Sequence, residues 1–388
     1  MYAFPMFIVA LCVEGIVVRV RQGGASYAMR PLVGAIGTSV LDQLVNASCF
    51  VGFAWIYERV ASHVAIVGLP ASSPLTWIAA VLGHDVAYYA YHRASHRVNV
   101  LWAVHLVHHQ SESYDFTVST RQGTVATWVT LLFYLPLALL GVPLIVFVGV
   151  HAAYQIYQFF VHTRAVRRLW FFEAFVATPS HHRVHHGRDD VYIDKNYGGF
   201  FIVFDRLFGT FVEEKFEPDY GVPGGYEVVS PTFANGYYFA RLVRATKSCH
   251  SIGEVAKLWL GPPEASTALM ASSAHVPPAA LSLPALARGY AVAQFVGALG
   301  GAIVLMFART QFTMVQAVVA TVLCIATIEG ASAVLDGRRW ARGFELLRAG
   351  AVIVCGVWLC GGGVMWAVVG YGVATGGVGA WALASAVN

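Results

Sequence analysis

Long apolar stretches dictate what this chain can fold into. Segments at about 4–18, 33–56, 73–92, 123–140 and 143–163 approach the roughly 20 apolar residues that cross a bilayer as a helix. Others follow at about 289–307, 313–333, 349–368 and 370–386. In lipid, backbone N–H and C=O groups must be satisfied within the segment itself, so such stretches fold as helices. Pro136, Gly141 and Pro143 divide the run 123–163 into a helical hairpin. Charge content agrees: 12% of the 388 residues are charged, where a soluble domain carries about a quarter. The expected fold class is all-α, a polytopic integral-membrane bundle of eight or nine spans. The stretch Met1 to Val18 lacks a basic leader and carries Glu14, so it reads as a span and not as a signal peptide.

Basic residues orient the bundle. Arg19, Arg21 and Arg30, then Arg93 and Arg97, then Arg164, Arg167 and Arg168, then Arg338, Arg339 and Arg342 all fall on one side, which the positive-inside rule places in the cytoplasm. The stretch 164–260 forms a cytoplasmic cap on that side. Twelve of the 25 Lys and Arg lie between Arg164 and Lys257, mixed with acids, a pattern suited to anionic headgroups and not to nucleic acid. Residues 264–285, rich in Pro, Ala and Ser, read as a linker between a core, 1–263, and C-terminal helices, 286–388. That last group is rich in Gly, suits close helix packing in lipid, and has no histidine. The six cysteines are scattered without a CxxC and read as reduced thiols.

The chemistry lies in the histidines. Twelve of fifteen fall between His84 and His186, in clusters His92-x3-His96, His105-x2-His108-His109 and His182-x2-His185-His186, with His162 between the last two. Imidazole suits zinc, copper, iron and nickel, and eight or nine such ligands exceed what one ion can hold. Two metals close together at a membrane surface are expected. His92 and His96, at i and i+4, reach one metal. His84, Tyr88, His92 and His96 form one helical ladder, and Asp85 beside it is placed to orient a ligand imidazole. His105, His108 and His109 share a helical face. His151, Gln155, Gln158 and His162 form a polar stripe on the second helix of the hairpin; His162, nearest the cytoplasm, is the ligand candidate, and His151 lines a cavity or only packs. His63, His250 and His275 read as incidental, and Glu14, Asp42 and Glu329 as interhelical hydrogen-bonding groups.

These clusters resemble those of the fatty acid hydroxylase/sterol desaturase superfamily of membrane diiron oxygenases. The string Asp85-x2-Tyr88-Tyr89-x2-His92-Arg93-x2-His96 is similar to its first signature. Thr178-Pro-Ser-His-His-Arg-Val-His-His-Gly187, then Asp194-Lys-Asn-Tyr-Gly-Gly199 and Asp205-Arg-Leu-Phe-Gly-Thr-Phe211, look most like the alkylglycerol monooxygenase branch. Glu329-Gly330, Gly337-Arg-Arg-Trp-Ala341 and Glu345 resemble that branch's C-terminal helices. One position departs: the branch tends to carry an acid where this chain has Arg97, which puts pterin dependence in doubt.

The resemblance implies a membrane monooxygenase that uses two iron ions and O2 to hydroxylate a lipid C–H bond. The carbon beside an ether oxygen is one such target, with release of an aldehyde. The implied ligands are His92, His96, His105, His108, His109, His162, His182, His185 and His186, with His84 and His181 as weaker candidates. Asp85, Tyr88 and Arg183 are supporting candidates. The substrate would enter laterally from a bacterial inner membrane or endoplasmic reticulum membrane. The chain has no dinucleotide fingerprint, so an external donor, a tetrahydropterin or a redox protein, is implied. Three other readings compete. One is hydroxylation or desaturation of a sterol, carotenoid, fatty acyl chain or aminolipid. A second is metal transport, which favours sites near the bilayer midplane. The third is zinc hydrolysis, whose general base would come from Asp85, Glu112, Asp115, Asp189 or Asp190.

Overall fold

The computed structural model describes residues 3–22, 27–46, 49–223, 227–266 and 283–360. Among these the regular structure is helical, apart from two isolated bridges, Val176↔Phe201 and Gly187↔Tyr220. The chain divides into two units. The first comprises Met1–Ala35, Ser48–Glu227 and Asn235–Ala274, the second Ile36–Ala47, Val228–Ala234 and His275–Asn388.

The first elements are α1 (Ala3–Gln22), α2 (Met29–Asn46), α3 (Cys49–His63) and α4 (Pro74–Arg97). The stretch 33–56, expected as one span, is therefore two helices. Asp42 and Asn46 face each other at the end of α2 (Asn46 Nδ2 to Asp42 Oδ1, 2.7 Å), and polar, weakly helix-forming residues mark the break. Helix α4, at 1.5 Å per residue about 36 Å long, continues past the expected boundary at 92 and carries His92 and His96 on its last turns. After α5 (Asn99–His109) and the short α6 (Phe116–Thr120) come the hairpin partners α7 (Ala126–Leu139) and α8 (Leu144–Val161). Gly141, at φ 83, makes the turn between them; a Cβ there would lie 1.6 Å from the Val67 carbonyl oxygen.

The core of this part is apolar and aromatic. Phe53 and Tyr57 of α3, Ala80 of α4, Leu131, Tyr134 and Leu137 of α7 and Val146, Phe147 and Val150 of α8 are all buried together. Tyr57 stacks on Phe147 at 4.6 Å and donates to the Val142 carbonyl, so its one polar atom is satisfied. This block fixes α4 against α7 and α8 below the histidines.

Beyond it lie α9 (Pro179–His186), α10 (Val203–Leu207), α11 (Pro231–Thr246) and α12 (Ile252–Leu260). Ala103 and Leu106 of α5 pack on Tyr238, Leu242 and Ala245 of α11 and on Leu258 of α12. Asn99 locks the start of α5, donating to Leu258 O and accepting from Tyr238 Oη.

The second unit contains α13 (Ala285–Phe307), α14 (Met314–Leu335) and α15 (Ala341–Cys360). A buried polar knot joins them, with Arg348 donating to Glu345 and to Tyr290 Oη. Glu329 accepts from Ser230 Oγ and Thr232 N, the hydrogen-bonding role expected for it.

Three helices, α8, α13 and α14, are long and apolar enough to cross a membrane, and α2 with α3 would make a fourth as a broken span. Helix α7 is apolar but has 14 residues. The expected span 349–368 is seen only as far as Cys360, and the span 370–386 lies outside the described residues, as does most of the linker 264–285.

Candidate metal centre

The three histidine motifs sit at the ends of α4, α5 and α9, and there the histidines fall into two groups. His92, His96, His105, His109 and His185 form one; His108, His162, His182 and His186 form the other. Within each group the candidate ligand atoms lie within 4.8 Å of one another, and all nine residues are buried.

Helical geometry explains the division. Residues four apart share a face, while the residue at i+3 leans to the other side. In α5, His105 and His109 point to the five-histidine group and His108 to the four-histidine group. In α9 the same His-x2-His-His motif is used in reverse: His182 and His186 join the four-histidine group and His185 the five-histidine one. The face expected to be shared by His105, His108 and His109 is thus split between two centres. His162 enters as the cap residue that ends α8.

The imidazoles are held from behind. A carbonyl oxygen can only accept, so an imidazole nitrogen bonded to one carries its hydrogen, and the other nitrogen presents a lone pair. Nδ1 of His92 donates to Tyr197 O (2.9 Å), that of His185 to Lys195 O (2.9 Å), that of His108 to Arg121 O (3.1 Å) and that of His162 to Gln158 O (2.6 Å). His96 Nδ1 faces a carboxylate instead, Asp194 Oδ1 at 3.5 Å.

Much of this support comes from one loop. Asp194 (φ 58) and Asn196 (φ 54) adopt the left-handed conformation that Asp and Asn tolerate better than most residues. The alternation aims the carbonyls of Lys195 and Tyr197 at His185 and His92. Asn196 is anchored to His181 O and Val212 O, and Asp205 accepts from the Tyr197 and Gly198 N–H groups. Gly199 closes the loop against α4 and α8, where a Cβ would fall 1.7 Å from Tyr154 Oη.

The donor set fits metal ions. The Nε2 atoms of His96, His185 and His186 are buried with no hydrogen-bond partner, an expensive arrangement for polar atoms unless they serve another purpose. Other Nε2 atoms crowd together: His92 on His105, His109 on His105 and His162 on His108 at 3.1 Å, and His182 on His162 at 3.0 Å. Two ligands at right angles on one ion with bonds of about 2.1 Å stand about 3.0 Å apart. Burial, reinforced by neighbouring imidazoles, pushes His105, His109, His182, His185 and His186 well below the usual histidine range, and burial pushes His108 down to about 4. The imidazoles are therefore neutral at physiological pH, the form that binds metal.

The remaining candidates have other surroundings. His84 lies below both groups, bonded through Nε2 to His151 Nδ1 (3.1 Å) and stacked on Tyr134. His181 faces away and accepts from the Thr178 N–H as part of the α9 capping box. Asp85 accepts from the Phe200 and Phe201 N–H groups and from Tyr154 Oη, so it holds the 199–201 turn where an imidazole was expected. Tyr88 packs against His92 at 5.1 Å. Arg183 forms a bidentate pair with Glu214 at 2.6 Å and donates to the carbonyls of Thr163, Val166 and Arg167, fastening α9 to the segment after α8.

Sequence reasoning missed three supports. Asp194 stood in a quoted motif without a role. Arg121, fully buried, presents its carbonyl to His108 while its guanidinium bonds Val107 O and Gln110 and pairs with Glu227. Glu14, from α1, accepts from Phe116 N, Tyr27 Oη and Thr163 Oγ1 beside His162. No spacing rule links these residues to the histidines.

Comparison with known proteins agrees with this geometry. Residues 77–210, which contain both histidine groups and the 194–205 loop, match the fatty acid hydroxylase family, and the chain belongs to that superfamily of integral membrane proteins. Within it the resemblance is to alkylglycerol monooxygenases. The chain is 37% identical over 221 residues to the Homo sapiens alkylglycerol monooxygenase (57% of this chain, 49% of the relative). It is 35% identical over 265 residues to that of Danio rerio (67% and 58%). The ornithine lipid hydroxylase OlsE of Rhizobium tropici is 32% identical over 161 residues (38% and 49%). The chain thus spans about half the length of the curated relatives it matches. No solved structure matches it.

Proposed function

We propose that the chain is a membrane monooxygenase that hydroxylates a lipid C–H bond with O2 at a diiron centre. The observation that carries this reading is the pair of adjoining, buried, all-histidine groups, with lone pairs turned inward and backs held by carbonyls. His92, His96, His105, His109 and His185 would hold one iron, and His108, His162, His182 and His186 the other. The ions would supply O2 activation and oxidation of an unactivated C–H bond. The chain's part is to hold nine neutral nitrogens in place, exclude water and present the site beside the membrane helices.

The alkylglycerol monooxygenase relatives point to the carbon beside an ether oxygen. Lipid, O2, two electrons and two protons would give water and a hemiacetal, whose C–O bond then breaks to an aldehyde and an alcohol. The electrons come from an external donor, a tetrahydropterin or a redox protein. The bilayer topology fits eight or nine spans with the site and cap 164–260 on the cytoplasmic face, a core of 1–263 and a C-terminal group of 286–388.

Incubation of the purified protein in lipid discs with an ether glycerolipid, O2 and each donor in turn tests the reading. Fatty aldehyde released in step with O2 consumption is expected. Two bound irons with hydroxylated lipid but no aldehyde would move the substrate to another lipid class, the second reading that the OlsE resemblance favours. One zinc and no iron would overturn the oxygenase.

A further inference from the structure

Outside the metal centre, one surface of the first unit is far too apolar for water. Between Val166 and Phe175 the chain turns Trp170, Phe171, Phe172 and Phe175 outward, Trp170 with 85% of its surface exposed. Leu207 and Phe208, at the end of α10, are exposed beside them. The two strips form one platform: Val176 bridges Phe201, Ile202 N donates to Phe175 O, and Arg206 donates to Glu173 O. A contiguous exposed apolar patch of this kind marks an interaction surface.

Its position identifies the partner. Behind the platform, Gln158 Nε2 donates to Gly199 O at 2.6 Å, and the rings of Tyr157 and Phe200 lie 4.8 Å apart. Tyr157 and Gln158 belong to the last turns of α8, one of the helices apolar enough to cross a bilayer. The platform is therefore held at the level where that helix leaves the hydrocarbon. Exposed Arg167 and Arg168 open the segment, and Arg followed by Trp and Phe is the composition of an interfacial element at anionic headgroups. Trp170 adopts φ 45, a conformation uncommon for a bulky side chain, in the segment that turns its indole outward.

We propose that Trp170–Phe175, with Leu207 and Phe208, is a lip sunk into the headgroup–acyl boundary of one leaflet, with anionic phospholipid as its partner. The inference rests on the membrane reading of α8 and is independent of which lipid, if any, is oxidised. Glu173 accepts from Thr178 Oγ1 and Ser180 Oγ at the start of α9, so the lip also sets the height of the ligand helix above the leaflet.

The test uses the full chain in lipid discs of phosphatidylcholine and phosphatidylglycerol. The emission of Trp170 is isolated as the difference between the native protein and Trp170→Phe. A blue-shifted component quenched roughly twofold or more by lipids brominated near the headgroup end of their chains, and little by aqueous iodide, is expected. The double variant Phe171→Asp/Phe172→Asp should shift that component red and expose it to iodide. Quenching by iodide alone in the native protein would place the lip in water and overturn the proposal. Shielding from both quenchers in a protein that migrates as a dimer would assign the surface to a second copy, and would equally overturn it. Neither readout requires metal or turnover, so the lip can fail while the oxygenase reading stands, and the reverse.

Discussion

Replacing Asp194 by Asn should weaken one metal position and spare the other. Asp194 Oδ1 stands 3.5 Å from Nδ1 of His96, while Oδ2 pairs with Arg97 at 2.5 Å. Loss of a carboxylate behind a ligating imidazole typically costs about 10–100-fold in metal affinity, or about 1.4–2.7 kcal/mol. Two features place this case at the lower end. The carboxylate side chain is 25% exposed, and Arg97 already takes up part of its charge. The expected loss is about tenfold, confined to the five-histidine group, because the printed supports of the other group are carbonyls of Arg121 and Gln158. Chelator competition on the cobalt- or iron-loaded protein, followed as metal per chain, should show two release steps. In Asp194→Asn the first should move by about tenfold and the second should hold. Arg97→Ala should move the same step the other way, since it frees the carboxylate to polarise His96. Equal movement of both steps in Asp194→Asn, or of neither, would refute the assignment of Asp194 to one centre.

Other substitutions separate ligands from supports. His181→Ala should keep both metals and cost about 1 kcal/mol of stability through the lost helix cap, whereas His182→Ala should drop one metal per chain; elemental analysis and thermal melts distinguish them. Gly199→Ala would place a Cβ 1.7 Å from Tyr154 Oη and 2.6 Å from Tyr88 Cδ1. It should destabilise by about 1–3 kcal/mol or more and lower the melting temperature along with metal content, because the displaced loop carries the carbonyls behind His92 and His185. The metal-stripped protein should lose stability as pH falls from about 6.5 towards 4. Folding depresses the pKa of the buried imidazoles, His108 to about 4, so the unfolded chain takes up protons first in that window. Melting temperatures flat across that range would contradict the burial of neutral imidazoles.

What the sequence disclosed depended on whether a rule of local spacing applied. Histidines at i, i+3 and i+4 on helices are legible because the helix itself sets their direction. The same holds for the apolar runs that became α8, α13 and α14. Asp85 was misjudged for the converse reason. Its place on the ladder was right, but its partners, the N–H groups of residues 200 and 201, arrive from a loop more than a hundred positions away. Helix α4 was cut short at 92 because its second half is polar, although burial against α5 and α9 keeps it helical to Arg97. Asp194 and Asn196 could have been suspected as turn formers, but nothing local says that their turn aims carbonyls at His92 and His185.

The reversed use of one motif on α5 and α9 bears on how the two centres relate. Each of these helices sends an i,i+4 pair to one group and the intervening histidine to the other, so neither centre can be assembled without both helices. A perturbation that rotates α5 or α9 must therefore disturb both positions at once, whereas one confined to the 194–197 loop acts on His92, His96 and His185 alone. The asymmetry is also electrostatic. Nine neutral imidazoles cannot offset the charge of bound cations, and Asp194 is the carboxylate that faces a ligand imidazole, on the five-histidine side. On the other side the nearby buried acid Glu227 is already paired with Arg121. Two ions held in these groups would thus differ in the basicity of their ligands even with nitrogen donors throughout, the higher positive charge being easier to reach on the side that Asp194 supports.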